Sequence, residues 1–323
     1  MPERLRCAVI GAGHFGRYHA EKYAAIEEAE LVAVADVDAA SAERVASAHG
    51  ADAVGDFRAL FGKVDAVSVA VPTSRHCEVA GACLEAGIAV LVEKPIAASV
   101  AEADRLIALA AARGLPLQVG HLERFSPAYF AMAGAVRKPL YFEAERISPY
   151  NPRVTDVSVV LDLMIHDIDL IIALVGQLVE RVDAIGAPVV SKSEDIVNTR
   201  VTFANGSVAN LTASRVSMKT ERSMRIFAPD CYVQADLVKR TVVIRRRGQG
   251  EMFPGIPNIE EERHEFGEAD SLALEVAAFV KSVREGAPVA VTGEDGRDAV
   301  RAAQMITDSL QAHRRRLEAA GLI

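Results

Sequence analysis

The stretch VIGAGHFG, residues 9–16, decides how the chain is read. Gly11, Gly13 and Gly16 stand in G-x-G-x-x-G spacing between an apolar run, LRCAVIG (5–11), and an Ala-rich segment with helical spacing (15–28). Twenty residues past Gly16, Asp36 ends a second apolar run, ELVAVAD (30–36). Alone the glycines are a weak signal. Between a strand and a helix, with an acid closing the next strand, they form a dinucleotide-binding fingerprint. Gly11 permits the tight turn, Gly13 lets backbone approach a pyrophosphate, and Gly16 lets helix and strand pack closely. His14 and Phe15 open the helix, whose N-terminus attracts phosphate. Asp36 is suited to accept hydrogen bonds from the adenosine ribose. Val37 and Asp38 follow it and offer no cation for a 2′-phosphate, which predicts NAD rather than NADP.

Outward from this motif the alternation continues. Apolar runs at 65–71, 88–93 and 115–120 are separated by helix-patterned segments at 39–49, 74–86 and 99–113. Strands apolar on both faces and separated by helices predict a doubly wound parallel α/β sheet over residues 1–123. Past residue 123 the pattern changes. A helix is expected at 157–175, then strands at 180–190, 194–204, 207–215, 223–229, 231–238 and 241–247, with Asn205-Gly206 as a hairpin turn. Residues 248–270, rich in Gly, Pro and Glu, read as a loop, and helices at 271–285 and 294–318 close the chain. Residues 124–323 are therefore expected to form an α+β domain with a mainly antiparallel open sheet, serving substrate binding and oligomerisation.

Composition limits the function. Half of the 323 residues are apolar and a quarter charged, and the net charge of −8 disfavours nucleic acid or anionic membrane as a partner. The cysteines, Cys7, Cys77, Cys83 and Cys231, form no metal-binding spacing and read as reduced thiols. MPERLRCAVIGAG enters a strand-like run without a signal-peptide layout, so a cytoplasmic protein is expected. The basic clusters at 242–248 and 313–316 read as a solvated strand end and a helix C-terminus.

Chemistry is expected at the carboxyl ends of the strands. AVPTSRH (70–76) brings Val71, Pro72, Thr73 and His76 towards the cofactor, and VEKPI (92–96) brings Glu93 and Lys94. A lysine there can hold a substrate oxygen and stabilise its developing charge. A second concentration lies in LDLMIHDID (161–169). At 100° per residue Asp162, His166 and Asp169 share one face of an otherwise apolar helix, and Asp167 falls off it. Three readings are open: an internally satisfied cluster, part of a metal site short of ligands, or a histidine base oriented by a carboxylate.

The fingerprint, the EKP triplet (93–95), GHLERFSP (120–127) and the D-x-x-x-H spacing of Asp162 and His166 together resemble the Gfo/Idh/MocA oxidoreductases over essentially the whole chain. The resemblance implies a Rossmann domain binding NAD and hydride transfer from a secondary hydroxyl of a sugar or nucleotide sugar. It implies Lys94 beside the reacting carbon, His166 as proton acceptor and Asp162 facing substrate. VSVVLD (157–162) departs from the glycines many members carry before this aspartate. With GHLERF and LDLMIHDID it looks like the subgroup that oxidises carbon 3 of a UDP-N-acetylhexosamine. Arg124, Arg153 and Arg215 are candidates for gripping a nucleotide diphosphate. The resemblance also implies a homodimer or homotetramer. A non-sugar dehydrogenase and a non-catalytic NAD-binding regulator are the rival readings.

Overall fold

The computed structural model describes residues 4–150, 158–191 and 193–322. The chain divides into two compact units, Met1–Phe125 with Asp270–Val300 and Ser126–Ala269 with Arg301–Ile323.

The first unit is built on β1 (Leu5–Ile10), β2 (Ala29–Ala35), β3 (Asp52–Val54), β4 (Ala66–Val69), β5 (Ala89–Glu93) and β6 (Leu117–Gly120). All pair in parallel, in the order β3-β2-β1-β4-β5-β6. This is the doubly wound order, and its direction reverses between β1 and β4, where such sheets bind ligands. β3 was not foreseen, since three residues are too few to show a period. Helices α1 (His14–Ala25), α2 (Ala39–Ser47), α3 (His76–Glu85) and α4 (Val100–Arg113) connect the strands. Ser99 caps α4 by accepting from the Glu102 N–H at 3.3 Å, and Gly114 ends it in the left-handed conformation.

Residues 270–300, expected in the second domain, belong to the first unit. Helix α7 (Ser271–Glu285) places Val276, Phe279 and Val280 in one buried cluster with Cys7, Val9, Tyr23 and Leu91. Leu106 of α4 and Val79 of α3 join the cluster that holds Val67, Val90 and Val119. With apolar clusters on both faces, the central strands can be apolar throughout.

The second unit has an eight-stranded sheet: β7 (Tyr141–Ile147), β8 (Val179–Ala187), β9 (Ile196–Phe203), β10 (Val208–Ser214), β11 (Glu221–Phe227), β12 (Tyr232–Asp236), β13 (Thr241–Phe253) and β14 (Ile256–Glu265). Its order is β14-β13-β12-β11-β7-β10-β9-β8. Only the β7–β10 pairing is parallel, so the sheet is mixed and mainly antiparallel. The helices are α5 (Pro127–Ala135), α6 (Ile165–Val175) and the later part of α8 (Gly293–Ala319). Gly206, at φ +85°, forms the expected turn between β9 and β10. The expected loop at 248–270 is corrected: β13 runs on to Phe253 and β14 fills Ile256–Glu265. Cross-strand charge supports this long ribbon, with Arg245 opposite Glu261 at 2.8 Å. Among the described residues no helix is long and apolar enough to cross a membrane.

Phe279 is fully buried. Phe279→Ala should cost about 3–5 kcal/mol. Native-state hydrogen exchange should show the loss in β1 and β5 and not in the second sheet. An unchanged exchange pattern in β1 would contradict the placement of α7.

Candidate active site

The cleft of the first unit starts from backbone. Gly11 has φ +101°, and a Cβ there would lie 2.5 Å from the Ala70 carbonyl oxygen. A Cβ on Gly16 would collide with the Gly11 carbonyl. Gly13 differs: a Cβ there meets no atom within 4 Å. Gly13 also lines the cleft, so its missing side chain leaves room on the open side. No side chain caps the N-terminus of α1, and its first turn has no acid. Its free N–H groups and open approach suit a pyrophosphate.

Asp36 orders the turn. One carboxylate oxygen accepts from the Ala12 N–H at 2.6 Å and the other from the Asp38 N–H at 2.8 Å. Each oxygen keeps a lone pair for a ribose hydroxyl. The cleft has a volume of about 310 Å³ and includes Gly11, Gly13, Asp36, Val37, Val71 and Pro72 in its lining. Phe57 and Arg75 line it too. Arg75 lies within the AVPTSRH loop, whereas Phe57 sits in a short turn that shows no period. His14 and Phe15 are exposed at the start of α1, with rings edge-on at 5.4 Å. Thr73 begins a short turn, Thr73–Arg75, that leads into α3.

His76 is buried, and its two ring nitrogens lie 2.8 Å from the Pro95 carbonyl and 2.9 Å from the Val71 carbonyl. Burial pushes its pKa down, and the two carbonyls act against that. His76 therefore ties the loop after β4 to the loop after β5. Glu93 ends β5 and turns back, accepting from the Lys94 N–H at 3.2 Å and lying 2.8 Å from Nε2 of His19. The Lys94–Pro95 bond is cis. Arg124 is nearly buried, and its guanidinium pairs with Asp295 at 3.5 Å.

In the second unit, Asp162 and His166 are half-buried, whereas Asp167 and Asp169 are buried. The 100° projection needs amending, because Val160–Met164 is a π turn. The Ile165 N–H reaches back to the Val160 carbonyl, a five-residue step. Single π turns inside helices recur at functional sites. Asp167 makes two bonds to Arg146 of β7, at 2.7 and 2.9 Å. This fixes α6 on the sheet through a bidentate pair. Arg153 lies outside the described residues.

Arg215 is buried, and its Nε donates to Asp195 at 2.9 Å while one terminal nitrogen donates to the hydroxyls of Ser191 and Ser193. In this arrangement it clamps a loop. Burial acts to raise the Asp195 pKa, but bonds from the Val190 N–H, the Ser191 hydroxyl and the Val189 and Ser191 N–H groups outweigh it. The carboxyl is held well below its usual range.

Strand order, glycine turn and strand-end acid define the first unit as the cofactor half of a dinucleotide-dependent dehydrogenase. Residues 5–121 match the model of the oxidoreductase family with an NAD-binding Rossmann fold, and residues 135–230 match the GFO/IDH/MocA C-terminal domain. The chain belongs to the Gfo/Idh/MocA family of oxidoreductases. It is 41% identical over 310 residues to the UDP-N-acetylglucosamine 3-dehydrogenase of Acidithiobacillus ferrooxidans, covering 95% of this chain and 98% of that one. A solved structure of that organism's enzyme superposes with a TM-score of 0.90 at 41% identity, covering 96% and 98% of the two chains. The myo-inositol 2-dehydrogenase of Thermotoga maritima is 29% identical over 329 residues, 96% of this chain and 97% of that one.

Gly13→Ala should fold with near wild-type stability and bind dinucleotide weakly. Gly16→Ala should lose about 1–3 kcal/mol or more of stability through overpacking. Calorimetry with and without dinucleotide separates the two, and a stable, tightly binding Gly13→Ala would refute the assignment of the open side. Asp195→Asn should cost about 3–5 kcal/mol at neutral pH, because Arg215 is left buried and unbalanced. A carboxyl with a depressed pKa stabilises the fold above its unfolded value, about 3.9, and that contribution fades as pH falls through the folded value. The wild type should therefore converge on the variant in acid, as followed by urea unfolding across pH.

Proposed function

We propose that this protein oxidises a secondary hydroxyl of a nucleotide sugar, at carbon 3 of a UDP-N-acetylhexosamine, with NAD as electron acceptor. The observation that carries this reading is the end-to-end 41% identity to an enzyme of that name. NAD is favoured over NADP because Asp36 would repel a 2′-phosphate and neither Val37 nor Asp38 offers a cation. When bound, the dinucleotide supplies the two-electron acceptor.

The chain's own residues position and polarise. In this reading Lys94 holds the reacting oxygen and stabilises its developing negative charge. His166 accepts the hydroxyl proton. Asp162 bonds a neighbouring hydroxyl or orients His166. Glu93 and the glycine turn shape the cofactor side, and Arg124 remains a candidate for the nucleotide portion. Self-association as a homodimer or homotetramer would cover exposed apolar side chains of the second sheet such as Ile185 and Phe227.

The test is a panel of UDP-sugars, free sugars and myo-inositol with NAD and with NADP. Nicotinamide reduction is followed by absorbance, and the ketone is trapped as an oxime for mass spectrometry. UDP-N-acetylglucosamine with NAD should give the highest kcat/KM. A better free polyol would move the assignment to the inositol dehydrogenases. Lys94→Ala and His166→Ala should each lower kcat by about 10²–10⁴, with NAD affinity nearly unchanged by calorimetry. Full activity in either variant would remove that residue from the reaction.

A further inference from the structure

One buried cluster in the first unit has no task in the scheme above. Glu275 of α7 is fully buried, and neither of its carboxyl oxygens has a hydrogen-bond partner. A ring nitrogen of His19 and one carboxylate oxygen each of Glu93 and Glu275 lie within 4.8 Å of one another. Gln118 of β6 donates to the Glu275 backbone carbonyl at 3.0 Å. The ionisable groups facing Glu275 are His19 and Tyr23 from α1 and Glu93 from β5, with Cys7 of β1 acting on Tyr23. Lys22 and Asp270 pair with each other at 2.9 Å near the start of α7.

Burial without a donor, close to a second carboxyl, favours the neutral form of Glu275. Glu93 faces two donors, the His19 ring and the Lys94 N–H, whereas Glu275 faces none. With no donor facing it, Glu275 is the carboxyl that favours keeping a proton. The Nε2–H tautomer of His19 would donate to Glu93.

We propose that Glu275 is a positioning residue for Lys94, acting through Glu93: by keeping the cluster's proton it leaves Glu93 free to accept from the peptide N–H that carries the lysine. The inference rests on the assignment of Lys94 to the reaction. Burial, and then the charge of Glu93, hold the Glu275 pKa well above the ordinary range. A carboxyl raised in this way stabilises the fold below its unfolded value, about 4.3. That contribution is lost as pH climbs through the folded value. Ionised Glu275 would place a second negative charge against Glu93 and loosen the Lys94 anchor by repulsion.

The experiment compares the full-length wild type with Glu275→Gln, which is neutral at every pH. Infrared spectroscopy at neutral pH should show a protonated-carboxyl band in the wild type that is missing from the variant. The Tm of the variant relative to wild type should rise steadily with pH. The alkaline limb of kcat should move up by roughly one pH unit or more in Glu275→Gln. In a Glu93→Gln background the same substitution should no longer move the limb. A purely structural Glu275 would change kcat without moving the limb, and that result overturns the inference. So does an absent band, a Tm difference flat with pH, or a stoichiometric divalent ion found by elemental mass spectrometry. The infrared and Tm arms need no substrate. If no sugar is oxidised while both behave as expected, the functional reading has failed and the cluster's protonation stands.

Discussion

At two positions around the turn from β1 into α1 no Cβ fits. At Gly16 it would meet the Gly11 carbonyl, and at Gly11 it would meet Ala70. This contact sets how closely the helix lies on the sheet, and the rest of the first unit follows from it. The uncapped N-terminus of α1 opens towards the cleft, near enough for Asp36 to take the Ala12 N–H. One turn along the helix, His19 arrives within hydrogen-bond distance of Glu93. The glycine turn and the EKP triplet, 77 residues apart from Gly16 to Glu93, are thus joined by one helix held at short range.

The molecule buries carboxyl groups in three ways. Asp167 is matched by a bidentate arginine on the neighbouring strand. Asp195 combines an arginine with a set of backbone N–H donors, and its charge is favoured despite burial. Glu275 has neither kind of partner, and burial favours its neutral form. The first two solutions fix a helix and a loop in the second unit. The third lies in the first unit, one residue's bonding away from Lys94. A charge with donors around it is structural cement, whereas an acid without them responds to pH.

What could be read from the chain beforehand was local. The glycine spacing, Asp36 and the strand-end motifs announce themselves because turn, strand and helix each impose a short period. The hairpin of β13 and β14 did not, because its stability comes from pairing Arg245 with Glu261 across strands. In sequence those charges, mixed with Gly and Pro, look like a loop. The Arg215 clamp was hidden for a related reason: its partner Asp195 is twenty residues upstream, and only the fold brings them together. The helix projection of Asp162 assumed an α-helical pitch, which the π turn breaks. Glu275 was invisible as anything but one polar position in an amphipathic helix.

The return of residues 270–300 to the first unit matters while the chain is still being made. Strand β1 leaves the ribosome before the rest of its sheet, yet Val276, Phe279 and Val280, which share its apolar cluster, emerge only after Ser126–Ala269 has been synthesised. At ribosomal rates of about 5–20 residues per second, the sheet waits tens of seconds or less for that helix. During this interval Cys7, Val9 and Leu91 lack part of their cover. The second unit has most of its strands in one unbroken segment, Ser126–Ala269, and can begin to fold before the first is complete. Residues 1–125 expressed as a fragment would lack the α7 side chains that cover this face of the sheet.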